Sequence, residues 1–463
     1  MFKFDLTQIA AKTGGRLIGA DVDAFDLVIE NVAIDSRKVN EGELFVAIKG
    51  ENHDGADFIP VAIEKGAVAV ITEVETDIPV PQVVVEDAWK ALALLGNMAR
   101  EASEAGFVAI TGSNGKTTVK EMVRAILAEV APTHATQGNL NNEIGVPLTL
   151  FALEQDHKYV VVEMGASKKG DIEYLTRIAR PDISVVTNAS AAHLQGFGSV
   201  KGVAETKGEI FESLPEEGTA IINADDEYSG YWKDISGTEN IITFGECSTA
   251  DVRLGSYIGS VDTNFAEIET PNGELRLNLK LPGLHNIKNA MAATAVGIAL
   301  NIPLTTIKNA LEKMGAVKGR LCFQKAKNGG TVIDDSYNAN PASLQAGLQV
   351  LADQEGQKWL LLGDMAELGD DTEEFHANAA KQAADLGVEK LFACGSNKEL
   401  LVQNFGSGAK AYKDMNLLIE DLDKGLTKGV TLLVKGSRMM KLDQVVESIC
   451  KPDNVQNAGG GSQ

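Results

Sequence analysis

The stretch FVAITGSNGKTTVKEM (107–122) constrains this chain more than any other. FVAI is a dense apolar run. After the small and polar residues that follow it, Val119, Met122, Val123, Ile126, Leu127 and Val130 recur at i, i+3, i+4, i+7, i+8 and i+11, the period of one helix face. The order is strand, glycine-bearing loop, helix. In an α/β sheet that order presents backbone amides, at a helix N-terminus, to an anion. The usual phosphate-loop spacing would put a glycine at 110, but Ile110 stands there and the nearest glycine is Gly112. A tight βα turn with an incidental Gly-Lys-Thr is the plain alternative, and the strand–loop–helix context favours phosphate binding over it. The amides of Ser113, Asn114, Gly115, Lys116, Thr117 and Thr118 can converge on an anion. Lys116 can reach the outer phosphates of a nucleoside triphosphate, and the Thr117 hydroxyl can face Mg²⁺.

The same alternation runs through most of the chain. At about 150 residues per domain, 463 residues imply about three domains. Block 1–105 mixes short strands (VAIDSRKV, GELFVAIKG, GAVAVITE, PQVVVED) with a helix capped by Asp87 and stopped near Gly106. Block 106–314 has strands at 107–110, 159–163, 183–187 and 219–223, a β insertion at 251–281 and an apolar helix at 286–300. Block 315–463 repeats the pattern with TVIDD, KWLLLGD, KLFACG and TLLVKG. Unbroken apolar strands separated by helices imply parallel sheets covered on both faces. The expected class is therefore α/β: a mixed N-terminal domain, a doubly wound phosphate-loop domain and a Rossmann-like C-terminal domain.

Three side chains in the middle block have the character of site residues. Glu163 closes the strand KYVVVE, where a carboxylate beside a phosphate loop can hold Mg²⁺, although strand ends also carry solvated glutamates. Lys207 falls inside the apolar stripe Val203, Ile210, Phe211, Leu214. A lysine there either snorkels to water or is held in a site. His193, in the loop SAAHLQGF after a strand, can serve as ligand or base.

Charge and cysteine usage narrow the class. Lys and Arg total 42 against 65 Asp and Glu, a net charge of −23, which argues against nucleic-acid and anionic-membrane binding. Cys247, Cys322, Cys394 and Cys450 are widely spaced, as expected for reduced thiols in the cytoplasm. The start MFKFDLTQIAAKTGG has no apolar core of a signal peptide, no run reaches membrane-spanning length, and the tail NAGGGSQ reads as disordered.

Taken together, TGSNGKTT, EMG (163–165), NASAAHLQGFGS (188–199), ETKGEIF (205–211), GLHNIKNAMAA (283–293) and GRL (319–321) resemble the Mur ligase family, ATP-dependent enzymes that extend the peptidoglycan precursor. The resemblance runs over nearly the whole chain, and in that family Gly112 and Gly115 would flank a shortened loop. QGNLNNEIGVP (137–147), DDSYNANPASLQAGL (334–348), LLGDMAELG (361–369) and VKGSRMM (434–440) look like the member that joins D-alanyl-D-alanine to UDP-N-acetylmuramoyl-tripeptide. The Asp-Asn-Pro-Arg motif of the third-residue-adding ligase is absent. DSR (35–37) and DDSYNANP speak against a folylpolyglutamate-synthetase-like ligase, which shares the short loop.

The resemblance implies a role for each residue. Lys116 and the 112–118 amides would hold the ATP phosphates. Thr117 and Glu163 would hold one Mg²⁺, and His193 would help hold a second. Lys207 would be carbamylated, its new carboxylate supporting the metal site. Asn286 and Asn289 would lie on the adenine side, Arg320 at a hinge against the phosphates, and Asp335, Tyr337 and Asn338 at the nucleotide–acceptor junction. Ser36 and Arg37 would face the uridine diphosphate, Asn139 and Asn142 the muramoyl-peptide, and Lys435 and Arg438 the dipeptide carboxylate. The resemblance further implies a cytoplasmic monomer that neither binds nucleic acid nor enters a membrane.

Overall fold

The computed structural model describes residues 2–19, 27–50, 52–259 and 264–451, and the tail expected to be disordered lies outside them. Near the N-terminus, strands Arg16–Ile18, Gln82–Val84, Ala69–Thr72, Leu44–Val46 and Val32–Ala33 lie side by side in one sheet. The first pair is antiparallel and the rest are parallel. The helix Ala88–Ala102 closes this region, and the Asp87 side chain accepts from the Lys90 amide as its cap. Gly106 does not stop that helix. Ser103 turns extended (φ −91°, ψ 133°) and breaks it earlier, while Gly106 opens the next strand. Arg100 ties the helix to the middle of the chain. Its guanidinium lies 3.9 Å over the Phe107 ring and donates to the Ala179 and Arg180 carbonyls at 2.9 and 3.0 Å.

The middle of the chain forms a nine-stranded sheet. Its spatial order is Gly273–Asn278, Asn264–Thr270, Val252–Gly259, Ile241–Gly245, Thr219–Asn223, Ile183–Val186, Gly106–Thr111, Tyr159–Glu163 and Thr133–Ala135. Its apolar runs are covered on both faces, because alternate residues enter separate core clusters: Val161 one, Val160 and Val162 the other. The segment expected as an insertion instead prolongs this sheet through an antiparallel meander. The chain's apolar helix spans Leu284–Ala299. Two local expectations also change. Val130 is half exposed because the phosphate-loop helix ends at Ala128. Thr187 leaves the strand, which ends at Val186, because its hydroxyl donates to the Asn114 carbonyl at 2.6 Å.

The last region holds a six-stranded sheet in the order Cys322–Lys325, Thr331–Asp335, Val430–Lys435, Gln357–Leu362, Lys390–Ala393, Ala409–Ala411. It is parallel except at its first strand. Among the described residues no helix is long and apolar enough to cross a membrane.

Candidate active site

Strand Gly106–Thr111 lies between Tyr159–Glu163 and Ile183–Val186, so the connections leave it in opposite directions. Ligands bind at such a switch point, beyond the carboxyl ends of the strands. The loop 112–115 emerges there and opens the helix Lys116–Ala128. Its glycine spacing has a steric cause. Gly112 (φ +146°) leaves no room for a Cβ, which would sit 1.9 Å from Thr187 Oγ1. Gly115 (φ +82°) lies under Asn289, whose Oδ1 would be 2.4 Å from a Cβ. The two glycines are therefore set by what packs on them.

Part of the expected amide cradle is used otherwise. The Ser113 and Asn114 amides donate to the Asn188 carbonyl and side chain at 2.9 and 3.1 Å. The amides of Gly115, Lys116, Thr117 and Thr118 have no acceptor among the described residues, so four donors at a helix N-terminus remain for an anion. Lys116 Nζ folds back onto the Gly112 carbonyl at 2.7 Å. Burial pushes its ammonium down, Glu163 opposes that, and Arg320 reinforces it.

Two adjoining cavities of about 340 and 370 Å³ open on this loop. The first is lined by Thr118, Asn286, Asn289, Asp335 and Lys435. Asn286 is pinned by its Nδ2 to the Pro282 carbonyl at 2.7 Å, and its Oδ1 accepts from Asn289 at 3.2 Å. Asp335 and Lys435 are register partners on neighbouring parallel strands and form a buried ion pair. Lys435 also donates to the Asn338 carbonyl at 3.0 Å. The lysine expected at the dipeptide carboxylate thus lies on the other cavity's wall, committed to Asp335.

The second cavity gathers Lys116, Asn139, Asn142, Glu163, His193, Tyr337, Asn338 and Arg438. The Tyr337 ring carries two guanidinium groups, Arg320 at 4.2 Å and Arg438 at 5.6 Å from its centroid. Asn114, Gly115, Arg320 and Ser343 line both cavities, so the phosphate loop is their shared wall. Asn340, the cap of helix Pro341–Ala352, donates to the Asn114 side chain at 2.8 Å and brings the C-terminal sheet onto the loop.

The residues present fit a divalent cation. Glu163 is buried, one carboxylate oxygen accepts from Asn141 at 2.8 Å, and the other has no partner. An unsatisfied buried carboxylate oxygen beside a phosphate loop suits a cation. The Thr117 side chain stands at the same helix N-terminus but lines neither cavity. His193, with left-handed backbone (φ +53°), contacts the Glu367 carboxylate through Nδ1, which leaves Nε2 for a ligand. Lys207 is 2 % exposed, with its Nζ 5.5 Å from the Phe197 ring and no acceptor among the described residues. Burial, and secondarily the charge of Lys116, push its pKa well below the usual lysine value against Asp171 and Glu209.

Ser36 and Arg37 are not brought to either cavity. Ser36 is buried, and Arg37 is an exposed partner of Asp35, whose carboxyl it holds down at about 2. Sequence reasoning missed Thr187, Asn188 and Ser190, which hold the loop, and also Asn141, Asn340 and Glu367. The runs NASAAHLQGFGS and QGNLNNEIGVP contain three of these, Asn188, Ser190 and Asn141. Nothing local marks Glu367 as the partner of a histidine 174 positions away.

The descriptions of matching families and relatives agree with this geometry. The chain matches "Mur ligase family, catalytic domain" over 28–131, "Mur ligase middle domain" over 110–297 and "Mur ligase, glutamate ligase domain" over 319–438. It is 39% identical to the UDP-N-acetylmuramoyl-tripeptide–D-alanyl-D-alanine ligase of Escherichia coli K12, over 97% of this chain and 99% of that protein. The Bacillus subtilis protein of the same name is 32% identical, over 97% and 99%. Among solved structures, MurF from Acinetobacter baumannii superposes with a TM-score of 0.90 at 33% identity, covering 96% of this chain and 98% of that one. MurF ligase from Thermotoga maritima in complex with ADP gives 0.81 at 29% identity, covering 91% and 97%. The alternatives weighed from sequence are not favoured. A diaminopimelate-adding ligase (18% identity, TM-score 0.56) and a Mycobacterium tuberculosis folylpolyglutamate synthase (16%, 0.64) share the fold alone.

Proposed function

The chain belongs to the Mur ligase family, and on that premise we propose that it is the ATP-dependent ligase joining D-alanyl-D-alanine to UDP-N-acetylmuramoyl-tripeptide, giving the UDP-muramoyl-pentapeptide peptidoglycan precursor. One observation carries the reading: two cavities share the phosphate loop and Arg320 as their common wall. A nucleotide in the first cavity would present its terminal phosphate to a carboxylate in the second. The tripeptide carboxylate attacks that phosphorus, ADP leaves, and an acyl phosphate forms. The dipeptide amine then adds to the acyl carbon, and phosphate and a proton are released as the amide closes.

The chain's residues meet the demands of those steps. Bringing a carboxylate against a polyphosphate is a charge problem, solved by preorganised donors and cations. Lys116, Arg320 and the four unpaired amides stand where that charge would gather. Asn286 and Asn289 support an adenine-side role, because Asn286 is pinned to the Pro282 carbonyl and holds Asn289, which lies above Gly115. Tyr337, Asn338, Asn139 and Asn142 belong to the acceptor wall, with Arg438 as the cation for the dipeptide carboxylate. Mg²⁺, when bound, would neutralise phosphate charge as a Lewis acid. Thr117 and Glu163 would hold one ion and His193 a second. We assign Lys207 as a carbamate. Its neutral amine can add to CO₂ and release a proton, which turns a buried, unpartnered amine into an anion that would support the metal site, although Lys207 itself lines neither cavity. Ser36 and Arg37 remain assigned to the uridine diphosphate, in a domain 1–105 set beside an ATP-binding domain 106–314 and a ligase domain 315–463. We place the enzyme in the cytoplasm as a monomer. The buried Cys394 thiol, pushed up to about 12, suits a reducing compartment, and one chain lines both cavities.

The test is phosphate release from ATP with UDP-muramoyl-tripeptide, with and without D-Ala-D-Ala. Turnover should require both acceptors. Release indifferent to the dipeptide would end this assignment.

A further inference from the structure

Lys120 lies one helical turn after Lys116, is 2 % exposed, and has no part in the steps above. Its ammonium donates to the Thr136 carbonyl at 2.8 Å and pairs with Glu121 at 2.7 Å. Thr136 Oγ1 accepts the Glu163 amide at 3.0 Å. Beyond Thr136 the chain becomes the loop 137–142, which contributes Asn139 and Asn142 to the second cavity. The loop's far end is fastened to the same strand terminus. Asn141 donates its side-chain amide to Glu163 at 2.8 Å, and its carbonyl takes the Gly165 amide at 2.7 Å.

Burying an ammonium against one carbonyl and the neighbouring Glu121 carboxylate is a costly way to stabilise a helix, since an apolar side chain of similar length fills the space without desolvation. What the ammonium adds is direction. It fixes the root of the loop 137–142 to the helix whose N-terminus faces the phosphates. The phosphate loop itself is held from the other side, by residues 187–190.

Resting on the reading of 137–142 as the acceptor wall, we propose that Lys120 is a positioning residue. It sets the acceptor loop at a fixed distance from the phosphate loop, so that the carboxylate and the phosphorus meet in register. It touches neither substrate. Its loss should therefore loosen one cavity and spare the other.

The experiment compares K120M with wild type. The KM for UDP-muramoyl-tripeptide should rise at least about tenfold, while the dissociation constant of a fluorescent ATP analogue stays within about twofold. Amide hydrogen exchange should rise over 136–142 and not over 112–118. K120R, which keeps the donors, should recover part of the KM. Equal weakening of both substrates, or no change in either, overturns the proposal. A wild type that ignores the tripeptide would sink the ligase reading instead, and the hydrogen-exchange contrast would still judge the tether. If K120M does not fold, K120A, which removes the donor to the Thr136 carbonyl without placing an apolar end against it, carries the same comparison with the same deciding outcomes.

Discussion

Two lysines in different parts of the chain are buried to almost the same degree, 2 % exposed at Lys207 and 1 % at Lys435, yet their surroundings are opposite. Lys435 ends a parallel strand beside Asp335, pairs with it, and also reaches the Asn338 carbonyl. Burial pushes its ammonium down, and Asp335 works against that. Lys207 lies on a helix face among apolar residues, with Lys116 adding repulsion to desolvation and only weaker help from Asp171 and Glu209. Burial alone therefore does not say what a lysine does. A buried lysine with a carboxylate stays a cation and anchors structure, whereas one without a partner gives up its proton and becomes a nucleophile.

Experiments can break or sharpen that contrast. The largest effect is expected at Lys116, the cation that presses on Lys207. K116A should lower ligation by at least about 10³-fold, about 4 kcal/mol, with circular dichroism unchanged. Near-normal turnover would mean the loop does not hold the phosphates. Next is stability. K435M leaves Asp335 buried without its partner and should cost about 3 kcal/mol in urea unfolding. K207M removes only the weak attraction of Asp171 and Glu209 and relieves a buried charge, so it should lie within about 0.5 kcal/mol of wild type or above it. Equal losses in the two variants would erase the distinction. In activity the order reverses for Lys207. K207A should lose about 100-fold, with partial rescue by short-chain carboxylic acids, and labelled CO₂ should give a carbamate carbon resonance only in the wild type. The smallest effect concerns His285, held down at about 4 from 6.5 by burial and then by the charge of Lys435. A histidine that resists protonation when folded costs stability as pH falls from about 6.5 towards 4. K435M should raise the His285 pKa, read by ring NMR, and flatten that slope. An unmoved pKa would show that Lys435 carries no charge.

Much of the site was legible because its parts are local. Lys116, Thr117 and the two glycines lie in one strand–loop–helix segment. Glu163 and Asp335 end apolar runs whose length and composition mark parallel strands. Lys207 betrayed itself by breaking an apolar stripe. What escaped notice was non-local. The Asn114 and Ser113 amides looked available until Asn188, more than seventy positions away, took them. Lys435 and Arg438 are three residues apart, yet a strand end and the short turn after it send them to different cavities.

The sequence by itself determined the α/β class, the order of the strands along the chain and which groups are proposed to handle phosphate and metal. Period, apolar density and turn residues act over a few positions, and no other part of the chain can override them cheaply. Only the tertiary structure decided which of those groups face one another. Strand order put Glu163 and Thr187 on either side of the loop, and parallel register put Asp335 against Lys435. The contact of Asn340, a helix cap in the C-terminal region, with Asn114 of the phosphate loop brought two cavities together at Arg320. Those choices follow from burying both faces of each sheet at once, a condition no short window of sequence contains.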